Sequence, residues 1–508
     1  MQAPPLYTAE QVRHLDQVAI ESFGIDGFDL MKRAGKAAFR VARRHWPDAR
    51  SMVVLCGGGN NGGDGYVVAG LAKQQGWDCR CIAVSDPDKL RGTARQALDF
   101  AGDAGVEVER YEALGGTGLD EALAHSDLAV DTLLGTGLAG EVREPYATVI
   151  GSMNASGVPV LAVDIPSGLC SNTGRALGNT VVAEATITFI GRKAGLYTGK
   201  ARDHTGPVIF DDLGVDPAVY DAEPDPAAHL WTREVIRAAL PVRQPTTHKG
   251  DCGRVLVVGG EQGMGGAGIL ASEAALRAGA GLVFLATRGT HVPVALARRP
   301  EVQARSVEHG NELDALLEKV DVVVLGPGLG RDAWGQQMFQ RVCAFDGPVL
   351  ADADALNLLA ESAEKKHPNW VLTPHPGEAA RLLETTVSGI ESDRYQALKE
   401  LVDQHDASVV LKGAGTLVGA PGQVPALIEA GNPGMATAGM GDVLSGVIGA
   451  LLGQGLEGFK AAAAGAGWHA LAGDAAAREV GLAGLLAGDL CGYFFVAAGG
   501  HPEESADE

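Results

Sequence analysis

Residues 52–66 read MVVLCGGGNNGGDGY, an apolar run that passes through a cluster of glycines into a helix-like segment at 66–75. A glycine-rich turn between a strand and a helix exposes N–H groups at the helix N-terminus, where hydrogen bonds and the helix dipole stabilise a phosphate. The turn also carries Asn60, Asn61 and Asp64, whose oxygens can ligate a cation or bind ribose hydroxyls. We therefore predict an anion-binding loop; the alternative is a mobile connecting loop.

Outward from this loop, short apolar runs alternate with helix-like stretches. The buried-strand candidates are residues 52–56, 78–84, 128–131, 158–164 and 185–190. Such alternation indicates βαβ units and a mostly parallel sheet. Ahead of it, Thr8 and Gln11 have the spacing of a capping box before a helix that runs to about Phe23, and residues 30–44 show a second helical pattern. The first domain is therefore predicted as α/β with an N-terminal helical arm.

A second domain is predicted after a stretch that is rich in Asp and Pro. The 508 residues predict two or three domains, and residues 211–228, DDLGVDPAVYDAEPDPAA, are typical of a linker. The alternation then resumes, with strand candidates at 255–258, 282–286, 322–325, 349–351 and 409–411. We predict an α/β protein of two domains, residues 1–215 and 230–500, with a linker at 216–229 and an acidic tail at 501–508.

Composition restricts the partners. A net charge of −22 without a basic block argues against nucleic acid. Seven scattered cysteines without C-x-x-C spacing argue against a zinc site or a disulfide framework, and they favour a reducing compartment. The most apolar late region, residues 448–467, contains Glu457 and Lys460, which argues against a membrane span. We expect a cytoplasmic homo-oligomer that acts on a small molecule.

Carboxylates recur where later strands of the first domain are predicted to end. Asp131 is followed by GTGLAGE at 135–141, and Asp164 begins the run DIPSG. In an open parallel sheet, ligands bind outside the carboxyl ends of the strands, so these loops should converge on the glycine-rich loop. Each Asp alone could equally cap a helix. Their joint placement at strand ends favours a site.

The second domain has its strongest motif at residues 432–442, NPGMATAGMGD, which runs into an apolar helix pattern at 443–452. N–H groups of such a turn can stabilise phosphate charge, and Asp442 can act as a base; the alternative is an Asp favoured by the helix dipole. Lys412 follows a predicted strand in the run KGAGT, and His375 lies between two prolines in TPHPGE. GPGLG at 326–330 and GMGGAG at 263–268 are, as glycine-rich turns alone, typical of close packing.

Together, GGGNNGGDG, DTLLGTGLAGE and VDIPSG resemble the epimerase domain of NAD(P)H-hydrate repair enzymes over residues 1–215, a Rossmann-like α/β fold. The resemblance implies a potassium ion bound by Asn61, Asp131 and Ser167. Epimerisation by ring opening or transient loss of water needs an acid or base, for which Asp164 is the candidate and Lys193 a weaker one, expected as a phosphate or surface contact. The implied contacts with the hydrated cofactor are Asn60, Asn61, Gly62, Gly63, Asp64, Gly135, Thr136, Gly137, Leu138, Ala139, Gly140, Glu141 and Asp164.

The motifs of residues 230–500 resemble the dehydratase domain of the same family, which is related to ribokinase-like kinases. The resemblance implies phosphoryl transfer to the substrate hydroxyl, with Asp442 as base, ADP as the nucleotide in bacterial-type fusions, ATP in the eukaryotic type, and Mg²⁺ as counter-charge. The implied contacts are Ala267, Gly328, His375 and Asp442 with the hydrated cofactor, and Lys412, Gly413, Ala414, Gly415, Thr416 and Gly441 with the nucleotide.

These resemblances predict a bifunctional enzyme that interconverts the R and S hydrates of NADH and NADPH and dehydrates the S epimer, with AMP and phosphate as by-products. The alternative is a ribokinase-like small-molecule kinase joined to a non-catalytic N-terminal binding module. A scaffold could lose its polar side chains, whereas this chain has all five of them, Asn60, Asn61, Asp64, Asp131 and Asp164.

Overall fold

The computed structural model describes residues 2–499, so the predicted acidic tail at 501–508 lies outside the described residues. The chain divides into two compact units. The front unit is Pro5–Ala228, and the back unit is formed mainly by the chain from His229 onward.

The front unit contains nine strands and six α-helices in its described chain. The strands are β1 (Pro5–Tyr7), β2 (Ser51–Cys56), β3 (Asp78–Ala83), β4 (Val108–Arg110), β5 (Leu128–Thr132), β6 (Val160–Val163), β7 (Ala185–Phe189), β8 (Arg192–Lys193) and β9 (Val208–Asp211). The helices are α1 (Ala9–Glu21), α2 (Gly27–His45), α3 (Asn60–Gln74), α4 (Gly92–Asp103), α5 (Tyr111–Ala124) and α6 (Tyr146–Ser156).

Seven of these strands form one parallel sheet in the order β4-β3-β2-β5-β6-β7-β9. Alternate residues of β2 contribute to two hydrophobic clusters: Val53 and Leu55 to one, Met52 and Val54 to the other. Because successive side chains of a strand point to opposite faces, both faces of this sheet are covered, and the strand is apolar along its whole length. The order reverses between β2 and β5, which makes this the switch point where a Rossmann-like sheet binds its ligand.

The ends of the first helices follow from local side chains. The predicted capping box is confirmed, since Thr8 Oγ1 accepts from Gln11 N at 3.2 Å and Gln11 Oε1 accepts from Thr8 N at 2.9 Å. The predicted start of α3 was wrong by six residues, because the helix begins at Asn60 and not at Tyr66. The N-cap is Gly59 in extended backbone, so residues 60–64 form the first turns of a helix and only the glycines before them form the loop.

The back unit contains ten strands and twelve α-helices in its described chain. The strands are β10 (Ala228–Trp231), β11 (Arg254–Val258), β12 (Leu282–Thr287), β13 (Gln303–Ser306), β14 (Val322–Leu325), β15 (Val349–Ala351), β16 (Trp370–Leu372), β17 (Ser408–Leu411), β18 (Leu417–Gly419) and β19 (Ala426–Ile428). The helices are α7 (Arg233–Ala239), α8 (Gly265–Arg277), α9 (Val292–Arg298), α10 (Asp314–Leu317), α11 (Ala333–Cys343), α12 (Asp354–Glu361), α13 (Pro376–Leu382), α14 (Val387–Ser392), α15 (Arg394–His405), α16 (Met440–Gly453), α17 (Gly458–Val480) and α18 (Phe494–Ala497).

Its sheet runs β13-β12-β11-β14-β15-β16-β17-β18-β19-β10. The strands from β13 to β17 are parallel, and β18 is antiparallel to both of its neighbours. This order also reverses beside its first long strand, between β11 and β14. Over the described residues, none of the helices combines the length and apolar character that crossing a bilayer requires.

The five strand candidates predicted in each domain are confirmed to within two residues at either end. The additional strands are short or lie near sheet edges, where few apolar residues are needed: β1, β4, β8, β9, β10, β13, β16, β18 and β19. The segment predicted as a linker, 211–228, packs against the front unit. Its Val219 is fully buried in a short 3₁₀ turn, Pro217–Ala222, and Tyr220 Oη donates to the Ile190 carbonyl at 2.8 Å.

We predict that Gly65→Ala lowers the stability of the front unit. A Cβ there would lie 2.1 Å from Thr132 Oγ1 and 2.8 Å from Cys56 Sγ, so α3 must move away from β2 and β5. Overpacking of this kind costs about 1–3 kcal/mol. Gly102→Ala, on the exposed side of α4 with nothing within 4 Å, is the control, and it should raise stability by about 0.5–1 kcal/mol. Thermal unfolding of both variants checks the prediction, which fails if the two shift the melting temperature alike.

Candidate functional site

A cavity of about 650 Å³ opens at the switch point of the front sheet. Most of the residues that line it come from α1, from α2, from the start of α3 and from the segments that follow β5, β6 and β7. Nine of the predicted contact residues line it, namely Asn60, Asn61, Asp64, Gly135, Thr136, Gly137, Leu138, Ala139 and Asp164. Gly62, Gly63, Gly140 and Glu141 are not among its lining residues. A Cβ on Gly62 would lie 2.1 Å from the Gly57 carbonyl oxygen, which shows that this glycine serves close packing.

Asp164 and Lys193 form an ion pair at the cavity wall. Lys193 Nζ donates to Asp164 Oδ1, to Thr188 Oγ1 at 3.0 Å and to the Phe189 carbonyl at 3.2 Å. The Lys193 side chain is only 1% exposed, so the expectation of a surface contact was wrong, and the phosphate contact stays a prediction for a residue that lines the cavity. Asp164 adopts a φ of +69°, which is rare for a residue with a side chain. Strain of this kind is characteristic of functional positions, since packing must hold the backbone there.

Two further carboxyl groups face the same cavity, Asp16 from α1 and Asp64 from α3. Burial raises the pKa of Asp16 to about 7, Lys193 lowers it and Asp164 raises it. The pKa of Asp64 is raised well above its usual value, first by burial and then by Asp164 and Asp16. Sequence reasoning missed Asp16, because nothing in the pattern of α1 separates it from an ordinary helical carboxylate.

The three residues predicted to hold potassium converge directly beneath the cavity. Ser167 Oγ donates to Asp131 Oδ1 at 2.6 Å, and Ser167 N donates to Asp131 Oδ2 at 2.7 Å. Asn61 Nδ2 donates to the Leu134 carbonyl at 3.1 Å, and Ser167 Oγ lies 3.2 Å from that same oxygen. Asn61 Oδ1 is buried without a hydrogen-bond partner. Burial raises the pKa of Asp131 to about 6, against the effect of Ser167.

In the back unit, Asp442 lies in the first turn of α16, whose N-cap Gly439 has a φ of +89°. The cap makes no side-chain hydrogen bond, so the first N–H groups of the helix remain available to an anion. Burial raises the pKa of Asp442 to about 7; Asp352 raises it too and Lys412 lowers it. The carboxyl group therefore titrates near neutrality, where a general base is most effective.

Lys412 lies at the centre of this site. Its Nζ is 2.8 Å from Asp352 Oδ1 and 3.9 Å from Glu378 Oε2. Burial opposes its charge, but Asp352 and Glu378 outweigh burial and raise the pKa of Lys412. Burial likewise opposes ionisation of Asp352, and Lys412 with the hydroxyls of Thr373 and Ser445 outweighs it and lowers the pKa of Asp352. The pair is therefore ionised beside Gly441, whose added Cβ would lie 3.2 Å from both charged groups.

His375 caps α13 and does not point freely into solvent. Its Nδ1 accepts from Gly377 N at 2.9 Å, and Glu378 Oε2 accepts from His375 N at 2.8 Å. Burial, and then Lys412, lowers the pKa of His375, so the ring is neutral at physiological pH. Burial raises the pKa of Glu378 to about 7. The His375 side chain is half exposed, and its Nε2 lies 3.4 Å from Glu378 Oε1.

Arg394 holds the loop that follows β17 and begins with Lys412. The Arg394 side chain is 1% exposed, and its Nη2 donates to the carbonyls of Leu411 at 3.2 Å and Lys412 at 3.1 Å. Gly413 has a φ of +139°, and a Cβ there would lie 2.9 Å from Arg394 Nη1. Thr416 Oγ1 donates to the Gly413 carbonyl at 3.0 Å. Arg394, which precedes Lys412 by 18 positions, therefore holds the loop in place before a ligand binds.

The remaining two predicted contacts, Ala267 and Gly328, are neighbours. A Cβ on Gly328 would lie 3.2 Å from Ala267 Cβ and 2.6 Å from the Met264 carbonyl oxygen. Close packing between these glycine-rich turns is thus confirmed. Asp352, which sequence reasoning missed, directly follows β15, so the strand-end rule that singled out Asp131 could have found it.

Comparison with known proteins matches both units. The family described as "YjeF-related protein N-terminus" matches residues 27–195, and that described as "NAD(P)H-hydrate dehydratase" matches residues 255–494. The ADP/ATP-dependent NAD(P)H-hydrate dehydratase of Bacillus subtilis, crystallised with ATP and Mg²⁺, is 30% identical and covers 53% of this chain and 97% of its own, with a TM-score of 0.49.

Two curated relatives extend along almost the whole chain. The bifunctional NAD(P)H-hydrate repair enzyme Nnr of Coxiella burnetii is 44% identical over 96% of this chain and 97% of its own length. The enzyme of the same name from Escherichia coli K12 is 46% identical over 96% of this chain and 92% of its own. Identity at this level across both units shows that the chain belongs to the family of bifunctional NAD(P)H-hydrate repair enzymes.

Proposed function

We propose that the protein repairs hydrated NADH and NADPH, with epimerisation in the front unit and dehydration of the S epimer in the back unit. The observation that carries the proposal is that each unit brings ionisable groups together beyond the carboxyl ends of its parallel strands. These groups are Asp164 and Lys193 in front, and Asp442 and Lys412 behind. A kinase with a non-catalytic front module is not favoured, because the curated relatives named as bifunctional enzymes match both units.

In the back unit, Asp442 accepts the proton of the substrate hydroxyl while that oxygen attacks a phosphoryl group of the nucleotide. The N–H groups at the start of α16 stabilise the charge of the transferred group, and the Lys412 ammonium lies beside them. Phosphate then leaves more readily than hydroxide and takes a proton from the neighbouring ring carbon, whose C–H electron pair forms the dihydronicotinamide double bond. We propose ADP as the nucleotide, with AMP and phosphate as by-products. Mg²⁺ supplies counter-charge to the nucleotide phosphates.

Substrate and nucleotide are assigned to separate sides of this site. We propose that Ala267, Gly328 and His375 contact the hydrated cofactor. The nucleotide contacts Gly441 and the loop of Lys412, Gly413, Ala414, Gly415 and Thr416. The assignment is supported by the hydrogen bonds with which Arg394 fixes that loop and by the half-exposed side chain of His375.

In the front unit, Asp164 is the proposed base for epimerisation. The Lys193 ammonium lies against its carboxylate and is itself fixed by Thr188 and Phe189, so the pair is a rigid part of the cavity wall. The cavity volume suits a sizeable ligand, and the open N-terminus of α3 behind Gly59 suits its phosphates.

The residues beneath the cavity fit a potassium ion. Asn61 Oδ1 is a buried oxygen with no partner, and Asp131, Ser167 and the Leu134 carbonyl supply further oxygens around it. No group of three or more His, Cys, Asp or Glu side chains within residues 2–499 is arranged to hold a metal, so a zinc-type centre lacks ligands there. A bound cation would offset the charge of Asp131 and fix the loop that carries Leu134.

We also propose a cytoplasmic homo-oligomer. All seven cysteines are free thiols, including Cys56 and Cys81, whose sulfurs lie 3.7 Å apart, which fits a reducing compartment. Sedimentation of the purified protein reads out the oligomeric state.

Asp442→Asn should abolish dehydration while nucleotide binding and epimerisation persist. Asn keeps the shape of the side chain but cannot accept a proton, and a positioned base contributes about 10²–10⁴-fold to rate. In the parent, dehydration should rise with pH through about 7 as Asp442 loses its proton. Turnover and nucleotide affinity, measured side by side, check this.

The control for Asp442 is Asp332→Asn, at the N-cap of α11, which is exposed and makes no side-chain cap bond. It should leave turnover unchanged. Turnover near that of the parent in Asp442→Asn contradicts the assignment of the base and leaves Asp442 a helix-terminal residue.

Replacing potassium with a large organic cation should slow epimerisation and leave nucleotide binding to the back unit intact. Crystals grown with potassium should show density at Asn61 Oδ1, with oxygen distances longer than the roughly 2.0–2.1 Å of magnesium. Short octahedral distances, or equal epimerisation rates without potassium, would contradict the potassium site.

A further inference from the structure

Helix α1 lies ahead of the segment that matches the front-unit family, 27–195, yet it forms part of the cavity wall. Its residues Val12, Arg13, Asp16 and Ile20 line the cavity. These positions recur at the three- and four-residue spacing of one helix face, so the helix presents a continuous strip to the cavity. Within that strip, Asp16 is the only carboxylate. The strip therefore brings a carboxyl group to a site whose other carboxyl groups are Asp64 of α3 and Asp164, which follows β6.

We propose that Asp16 is a catalytic residue of epimerisation, the acid that donates a proton to the ring nitrogen of the substrate while Asp164 accepts the proton of the hydroxyl. This inference rests on the epimerase activity proposed for the front unit. It adds a second proton-carrying group to a reaction for which Asp164 alone offers only one.

The charges of the cavity explain why Asp16 keeps a proton. Three carboxyl groups, Asp16, Asp64 and Asp164, share one ammonium, that of Lys193, and Lys193 is committed to Asp164 by direct contact. Asp16 and Asp64 make no such contact with Lys193, and the charge of Asp164 raises the pKa of both. Like charges in a partly desolvated site cannot all ionise, so a proton stays among them at neutral pH.

Other groups around Asp16 do not reverse this balance. Tyr220 is close enough for Asp16 to affect its pKa, but its hydroxyl is engaged with the Ile190 carbonyl. Arg13 lies on the same helix and is exposed, so solvent screens its charge. Burial remains the largest influence on Asp16 and raises its pKa to about 7, whereas the carboxylate of Asp164 has the Lys193 ammonium beside it. One residue is thus suited to give a proton and the other to take one.

The step balances with these two groups alone. Asp164 takes the hydroxyl proton, the oxygen forms a carbonyl as the bond from its carbon to the ring nitrogen breaks, and the released electron pair stays on nitrogen. That nitrogen takes the proton of Asp16. After rotation about the adjacent carbon–carbon bond, the nitrogen returns its proton to Asp16 and attacks the other face of the carbonyl carbon, and the oxygen regains a proton from Asp164. No oxidant, reductant or nucleotide is needed.

The test uses the full-length chain, the purified R epimer and no nucleotide, and it follows conversion by chromatographic separation of the epimers. Asp16→Asn should lower kcat by about 10²–10⁴-fold, the usual contribution of a positioned acid. In the parent, the rate should fall as pH rises through about 7, since the acid must hold its proton, and the variant should lose that limb. Glu10→Gln, which neutralises an exposed carboxylate on the same helix, is the control and should behave as the parent does.

Folding is checked separately. Asp16 keeps its proton to a higher pH in the folded chain than in the unfolded one, so it costs stability once pH rises above its unfolded pKa. Asp16→Asn should therefore melt at or above the parent temperature at alkaline pH. Normal turnover in the variant, or a loss that leaves the parent pH limb in place, overturns the inference alone. A parent that does not epimerise overturns the proposed function as well.

Discussion

Both units depend on backbone touching backbone at the switch point of the sheet. In the front unit, a Cβ on Gly57, directly after β2, would lie 1.8 Å from the Leu133 carbonyl oxygen, directly after β5. In the back unit, a Cβ on Gly259, directly after β11, would lie 2.0 Å from the Pro327 carbonyl oxygen. Only glycine permits such an approach. Because the strand-end loops touch, the side chains that follow them are held within a few ångströms of each other.

This geometry brings charged side chains together in sites that are partly desolvated. Asp164 and Lys193 in the front unit, and Asp352 and Lys412 in the back unit, are ion pairs with at least one member almost fully buried. Each pair lies close to a carboxyl group whose pKa is raised to about 7, Asp16 in front and Asp442 behind. The fold thus produces acid–base groups matched to neutral pH in two unrelated chemistries.

Much of the site could be predicted from the sequence where function coincides with a local rule. Asp131 and Asp164 stand out because they end strands, and Asp442 because it begins a helix after glycines. Lys193 shows the limit of this reasoning. As a polar residue in a short basic run it suggested a surface contact, yet it is buried and paired with Asp164, since its neighbours in space come from β6 and β7. The role of Arg394 gave no signal, because the Leu411 and Lys412 carbonyls that it binds are distant in the chain.

By itself, the sequence determined ten of the strands, the presence of two α/β domains, the capping box at Thr8 and the motifs that identify the family. These features depend on periodicity or on contacts within a few residues, so a short stretch of sequence is enough to predict them. The tertiary structure alone decided that α1 contributes Asp16 to the front cavity and that Asn61 Oδ1 is left without a partner. The physical reason is that the burial of these atoms and the charges around them depend on neighbours from several elements. Those neighbours come together only when the chain folds.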